Sequence, residues 1–107
     1  MTALLFCAAT AAGAVIRWRV AARFRTAGTV AVNVFGAFAL GVLAASDVSG
    51  VMLTIIGAGG LGALTTVSGW IAEIENRWRS QAHLAAAALL FGTLAAGTVA
   101  AWLGLQV

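Results

Sequence analysis

Four apolar runs, each long enough to cross a bilayer, divide this chain from end to end. They cover about Thr2 to Val20, Thr29 to Ala45, Val51 to Ile74 and Ala82 to Leu105. A spanning α-helix needs about 20 predominantly apolar residues, and these runs use nearly all of the 107 available. Hydrophobic residues make up 63% of the chain and charged ones only 8%, too few to cover the surface of a soluble domain. The linkers are short, which favours antiparallel neighbours in a compact bundle. The expected architecture is an all-α membrane protein with one four-helix transmembrane domain over residues 1–107.

The arginines give this bundle a direction. Arg17, Arg19, Arg23 and Arg25 lie at the junction of the first and second runs, and Arg77 and Arg79 between the third and fourth. After four crossings these two junctions share one side, opposite Asp47 and both termini. By the positive-inside rule the arginine side is cytoplasmic and the termini face outward, as in a multi-pass protein of the cell membrane. A subunit able to insert either way up needs nearly balanced charges, and this one is strongly biased. The net charge of +3 does not imply nucleic acid, because the arginines bracket apolar segments instead of spreading over a solvated face. Cys7, the single cysteine, allows no internal disulfide and reads as a packing residue. No basic region precedes the first apolar run, so a cleaved signal peptide is not expected.

The third run contains a stretch built to interrupt a helix. Gly57, Gly59, Gly60 and Gly62 precede Thr65, Thr66 and Ser68. Each glycine costs a helix interior about 1 kcal/mol relative to alanine, so the run predicts a helix that unwinds at mid-membrane. Backbone groups freed at that depth need protein, water or an ion as partner. Small residues also permit close helix contact. The hydroxyls immediately afterwards favour a break that presents carbonyls and half-helix ends to ions.

Other polar residues sit where a membrane makes them costly. Asn33 falls a few residues into the second run, on one helical face with Gly36, Ala37 and Gly41, so a close helix contact is expected there. Two roles fit it: glue between helices, or donation of an amide hydrogen to a permeating anion. Arg17 is the deepest arginine and a candidate for attracting anions at a vestibule. Glu73 reads as a helix-end residue paired with an arginine. Trp18, Trp78 and Trp102 fit an interfacial belt, whereas Trp70 lies only two residues from Ser68. No nucleophile with a base, no carboxylate pair and no phosphate loop supports an enzyme.

These elements resemble the Fluc/CrcB family of fluoride channels. The likeness rests on "GAVIRW" at 13–18, "GTVAVNVFGAFALG" at 28–41 and "GLGALTTVSGWIAE" at 60–73. It implies an antiparallel, dual-topology dimer whose third helices, broken at mid-membrane, lock a structural sodium ion between them. The matching sodium ligands are the backbone oxygens of Gly62 and Thr65. The likeness also implies an ion pathway along Asn33, Thr66, Val67, Ser68 and Trp70, with Arg17 and Glu73 at a cytoplasmic vestibule. The implied function is passive fluoride export that lowers cytoplasmic fluoride.

Several positions depart from the family pattern. Val67 replaces a phenylalanine, Trp70 stands at the second aromatic, and Gly69 replaces a hydroxyl residue. Ala63 replaces a glycine, and Phe91 stands where a tyrosine is often seen. Together with the arginine bias, these departures suggest one half of a heterodimer with a paralogue of opposite topology. Two alternatives are a proton-coupled exporter like the small multidrug resistance family and a non-conducting structural partner subunit. The exporter family relies on a glutamate in its first helix, and no acid precedes Asp47 here.

Overall fold

The computed structural model describes residues 1–107 and is entirely helical. Four helices are long and apolar enough to span a membrane: Thr2–Phe24, Thr26–Ala45, Gly50–Arg79 and His83–Gln106. The first and second are continuous and are labelled α1 and α2. The third comprises α3 (Gly50–Met52), a π-helical stretch (Leu53–Leu61), α4 (Gly62–Leu64) and α5 (Val67–Arg79). The fourth span is α6.

The helix ends differ from those the hydropathy predicts. Helix α1 runs on to Phe24, α2 starts at Thr26, and the third span extends to Arg79. Hydropathy marks where apolar side chains stop, but arginine is a good helix former, so the backbone continues through the charged residues. Arg25 alone joins α1 to α2, with φ 55° and ψ −126°. That left-handed conformation favours glycine and strains any residue with a Cβ.

The glycine run is not where the third span unwinds. All its glycines have negative φ, and the segment stays helical with a wider winding. Gly62 N–H bonds to Gly57 O, five residues back, as well as to Gly59 O. The residues that leave the helix are Thr65 (φ −81°, ψ 155°) and Thr66 (φ −145°, ψ 121°), both extended. They lie close to midway along Gly50–Arg79. Glycine's missing side chain is used here for contact: Gly59 faces Phe6 of α1, and α1 packs along the π-helical stretch.

The largest interface is between α2 and α6, and small residues make it. A Cβ on Gly104 would run into Phe38 O, and one on Gly41 into Ala101 O. Such approach of backbones is what drives helix association where lipid is as apolar as the side chains. Gly13 of α1 makes the same kind of contact with Gly60 O. The protomer is a slab of 48 × 29 × 18 Å, and only 15 of its 107 residues are buried. Its apolar faces are therefore turned outward, to lipid or to another chain. Trp18, Trp78 and Trp102 are exposed while Trp70 is buried.

These contacts separate glycines that hold the bundle from those that do not. Gly104→Ala is expected to lower stability by about 1–3 kcal/mol through overpacking against α2. At Gly92 a Cβ would meet nothing within 4 Å, so Gly92→Ala is expected to be neutral or to gain up to about 1 kcal/mol. Thermal unfolding in detergent, followed by circular dichroism, measures both.

Candidate functional site

The two threonines at the interruption divide their work between the half-helices. Thr65 Oγ1 donates to Leu61 O at 3.0 Å, closing the upstream half. Thr66 Oγ1 accepts from Gly69 N–H at 3.1 Å and is the N-cap of α5. Threonine suits both tasks, because its hydroxyl competes with helical backbone bonding and is favoured at N-caps.

The backbone of Thr66 is held from another helix. Asn33 Nδ2 donates to Thr66 O at 2.9 Å, and Asn33 Oδ1 accepts from Thr66 N–H at 2.7 Å. One amide side chain thus satisfies both groups that the extended backbone exposes. An asparagine amide has two N–H donors, so this clamp occupies one and leaves the second. Gly36, one helical turn beyond Asn33, gives Thr65 its place: a Cβ there would collide with Thr65 Cγ2.

Turning Thr66 N–H toward Asn33 also removes a partner from Gly62. In a continuous helix the Gly62 carbonyl would accept from residue 66, whose N–H bonds instead to Oδ1 of Asn33. Gly62, Thr65 and Asn33 line one open-sided groove of about 730 Å³ between α2 and the third span. No aspartate or glutamate lines it, so its acceptors are carbonyl, amide and hydroxyl oxygens. Neutral oxygens of this kind suit a hard cation of low charge.

The remaining candidate residues fall outside this groove. Val67 and Ser68 stand exposed on the first turn of α5, with Ser68 Oγ 3.5 Å from Thr66 Oγ1. Trp70 is buried, and its Nε1 has no hydrogen-bond partner. Arg17 is half-buried near the end of α1.

Glu73 belongs to a cluster that sequence reasoning only partly anticipated. Its Oε2 accepts from Arg77 Nη1 at 2.9 Å and from Thr26 Oγ1 at 2.8 Å. Arg77 Nη2 reaches Thr26 Oγ1 at 3.1 Å. The Glu73–Arg77 spacing of four residues was a visible helical ion pair. Thr26 gave no such signal, because only the docking of α5 on the start of α2 brings it there. Glu75 and Arg79 form a second, more exposed pair.

A four-span membrane protein with an interrupted third helix and a polar groove at the interruption is the class these features define. The profile of the family described as CrcB-like protein, Camphor Resistance (CrcB), matches residues 4–105. The chain belongs to this family. It is 38% identical to fluoride-specific ion channel FluC 2 of Natronomonas pharaonis, over 100% of this chain and 94% of that protein. It is 39% identical to FluC 1 of Symbiobacterium thermophilum, over 100% and 97% of the two chains. With FluC 1 of Halobacterium salinarum the identity is 35%, over 94% and 91%.

Two measurements probe the site. Asn33→Leu leaves both Thr66 backbone groups without their partner and is expected to cost about 2–3 kcal/mol. Hydrogen exchange should then show the Thr66 amide opening faster than in the parent chain. For the Glu73 cluster, a double-mutant cycle of Thr26→Val and Glu73→Gln is expected to give a coupling of about 1 kcal/mol, modest because the groups are partly solvated.

Proposed function

We propose that this chain is a subunit of a fluoride-selective channel that exports fluoride passively and so lowers its cytoplasmic concentration. The observation that carries the reading is the clamped interruption. Asn33 holds Thr66 out of the helix and thereby frees the Gly62 carbonyl in an open groove, in a chain of the CrcB-like family. Its relatives are named as fluoride-specific ion channels along nearly their whole length.

In this reading the interruption lies at mid-membrane, where a second, inverted protomer faces the groove to form an antiparallel dimer. Backbone oxygens of Gly62 and Thr65 from both protomers would hold a structural sodium ion. The donor set fits: carbonyls released from helical bonding, with no carboxylate among them, suit a monovalent cation. The ion would supply a fixed positive charge at a depth where charge is otherwise costly.

The anion takes a separate route along α5. Fluoride is strongly hydrated, and its water must be replaced by donors. Ser68 Oγ, the first N–H groups of α5 and the second N–H of Asn33 are donors of that kind. Val67, exposed beside Ser68, adds an apolar wall. Arg17 would draw anions to the cytoplasmic mouth. Glu73 is spent on Arg77 and Thr26, which fits a structural role at that end better than proton exchange, and so disfavours a multidrug-resistance-like exporter.

The arginines assign both termini to the outside and the arginine-bearing ends to the cytoplasm of a cell-membrane protein. Pairing of Arg77 and Arg79 with Glu73 and Glu75 leaves the bias in place, because acidic residues contribute little to this rule. A chain with one orientation needs an inverted partner that is a different chain, a paralogue with reversed arginine placement. Val67 gives one specific reason to keep a second reading, in which this subunit supplies structure and half the sodium site while the partner lines the conducting pore.

Fluoride efflux from liposomes tests the proposal. Liposomes holding this chain with its paralogue are expected to release fluoride and retain chloride, whereas this chain alone is expected to release neither. Efflux from the chain alone would discard the heterodimer, and failure of both preparations would discard the channel.

A further inference from the structure

A second groove, of about 330 Å³, lies between α1 and the third span, and no polar side chain lines it. Its floor is backbone: Gly13 sits so close to the Gly60 carbonyl that a Cβ would collide. Its walls are large and uncovered, with Ile16 52% exposed, Phe35 59% and Ile56 40%. It does not open on the side of Asn33. Along the third span Thr54, Ala58 and Gly62 line the first groove, whereas Ile56, Gly60 and Leu64 line the second. Residues two apart in a helix lie on nearly opposite sides. An inverted protomer seated on the first groove therefore leaves the second facing lipid.

One end of this groove meets cations that have no acid beside them. On α1 the lining residues Ala9, Ala12, Gly13 and Ile16 recur at spacings of three and four. Arg23 continues that stripe seven residues after Ile16, and Arg19 stands at its edge. Both arginines are exposed. The ion pairs of the protomer are Glu73–Arg77 and Glu75–Arg79, so neither Arg19 nor Arg23 has a carboxylate. The Arg23 guanidinium lies 5.6 Å from the centre of the Phe24 ring, a contact that steadies the group and supplies no oxygen acceptor. Depth fits as well. Ala9 stands beside Gly60, close to the middle of the third span. From Ala9 to Arg19 is about 15 Å of helix, half of a hydrocarbon core about 30 Å thick.

An apolar slot one leaflet deep, with free guanidinium groups at its mouth, matches a lipid with an anionic headgroup. We propose that this groove holds an acyl chain of an anionic phospholipid from the arginine-side leaflet, with its phosphate taken by Arg19 and Arg23. A guanidinium meets phosphate through two parallel N–H bonds, and basic residues at the cytoplasmic ends of spanning helices are where such headgroups collect. The bound chain would brace α1 against the third span at the level of the interruption. The inference goes beyond the channel reading and is independent of which ion passes.

Isoleucine methyl signals test it. The full-length chain is reconstituted with its paralogous partner in phosphatidylcholine nanodiscs, with only this chain carrying labelled isoleucine methyls. Phosphatidylglycerol spin-labelled midway along its acyl chain is the probe, and Ile16→Val and Ile56→Val assign the two groove signals. Both signals are expected to broaden at low probe fractions, and spin-labelled phosphatidylcholine at equal fraction to broaden them far less. Arg19→Gln with Arg23→Gln is expected to weaken phosphatidylglycerol binding about thirtyfold, the size of two basic contacts at a membrane surface. Arg17, Arg25, Arg77 and Arg79 remain to keep the orientation. Ala12→Leu keeps both arginines but fills the groove, and is also expected to lose the broadening. Equal broadening by the two lipids, or broadening that survives either variant, overturns the proposal. So does an absence of broadening, which would mean that the partner protomer covers this face. Efflux plays no part in the readout, so failure of the channel reading leaves the result intact.

Discussion

In a bilayer no water is at hand to receive a backbone N–H or carbonyl, so any residue that leaves a helix there needs a partner from the protein. In this chain the residue is Thr66 and the partner is Asn33. The amide presents a donor and an acceptor in one plane, matching the N–H and carbonyl of a single extended residue. Each of the other local features follows from that match. Thr66 is free to cap α5, Thr65 closes α4, Gly36 leaves room for the Thr65 methyl, and the Gly62 carbonyl loses its helical partner. One side chain on α2 thus sets the geometry of the third span.

The packing around this point relies on small residues more than on a large core. Close backbone approach at Gly104, Gly41 and Gly13 ties α6 to α2 and α1 to the third span. No large side chain is completely buried in the protomer, which is economical in lipid, where apolar exposure carries little penalty. It also leaves the groove beside Asn33 and Thr65 open on one side. The Glu73–Arg77–Thr26 cluster fixes the far end of α5, so the second half-helix is held at both ends by polar contacts with α2.

Much of this was legible in the sequence because the membrane imposes simple rules. Run length gave four spans. Asn33 stood out as an amide in an apolar run, and Thr65 and Thr66 as hydroxyls after a glycine cluster. The glycines themselves misled. Their low helix propensity predicts unwinding at residues 57–62, yet neighbours that exploit the missing side chains keep that segment helical, and the interruption falls at the threonines. Helix ends were also displaced, because hydropathy records side-chain polarity and not backbone hydrogen bonding.

Sequence by itself determined the class, the number of spans and the residues with a reason to be polar, since each depends on composition within a single segment. Tertiary structure decided which of those residues meet. Asn33 and Thr66 are 33 positions apart, and Thr26 and Glu73 are 47 apart, separations across which no local periodicity carries information. Only the docking of the third span on α2 turns Asn33 into a backbone clamp, gives Glu73 its two partners and leaves the Trp70 nitrogen with none. The physical reason is that a hydrogen bond is decided by distances of a few ångströms between helices, and those distances belong to the packed bundle.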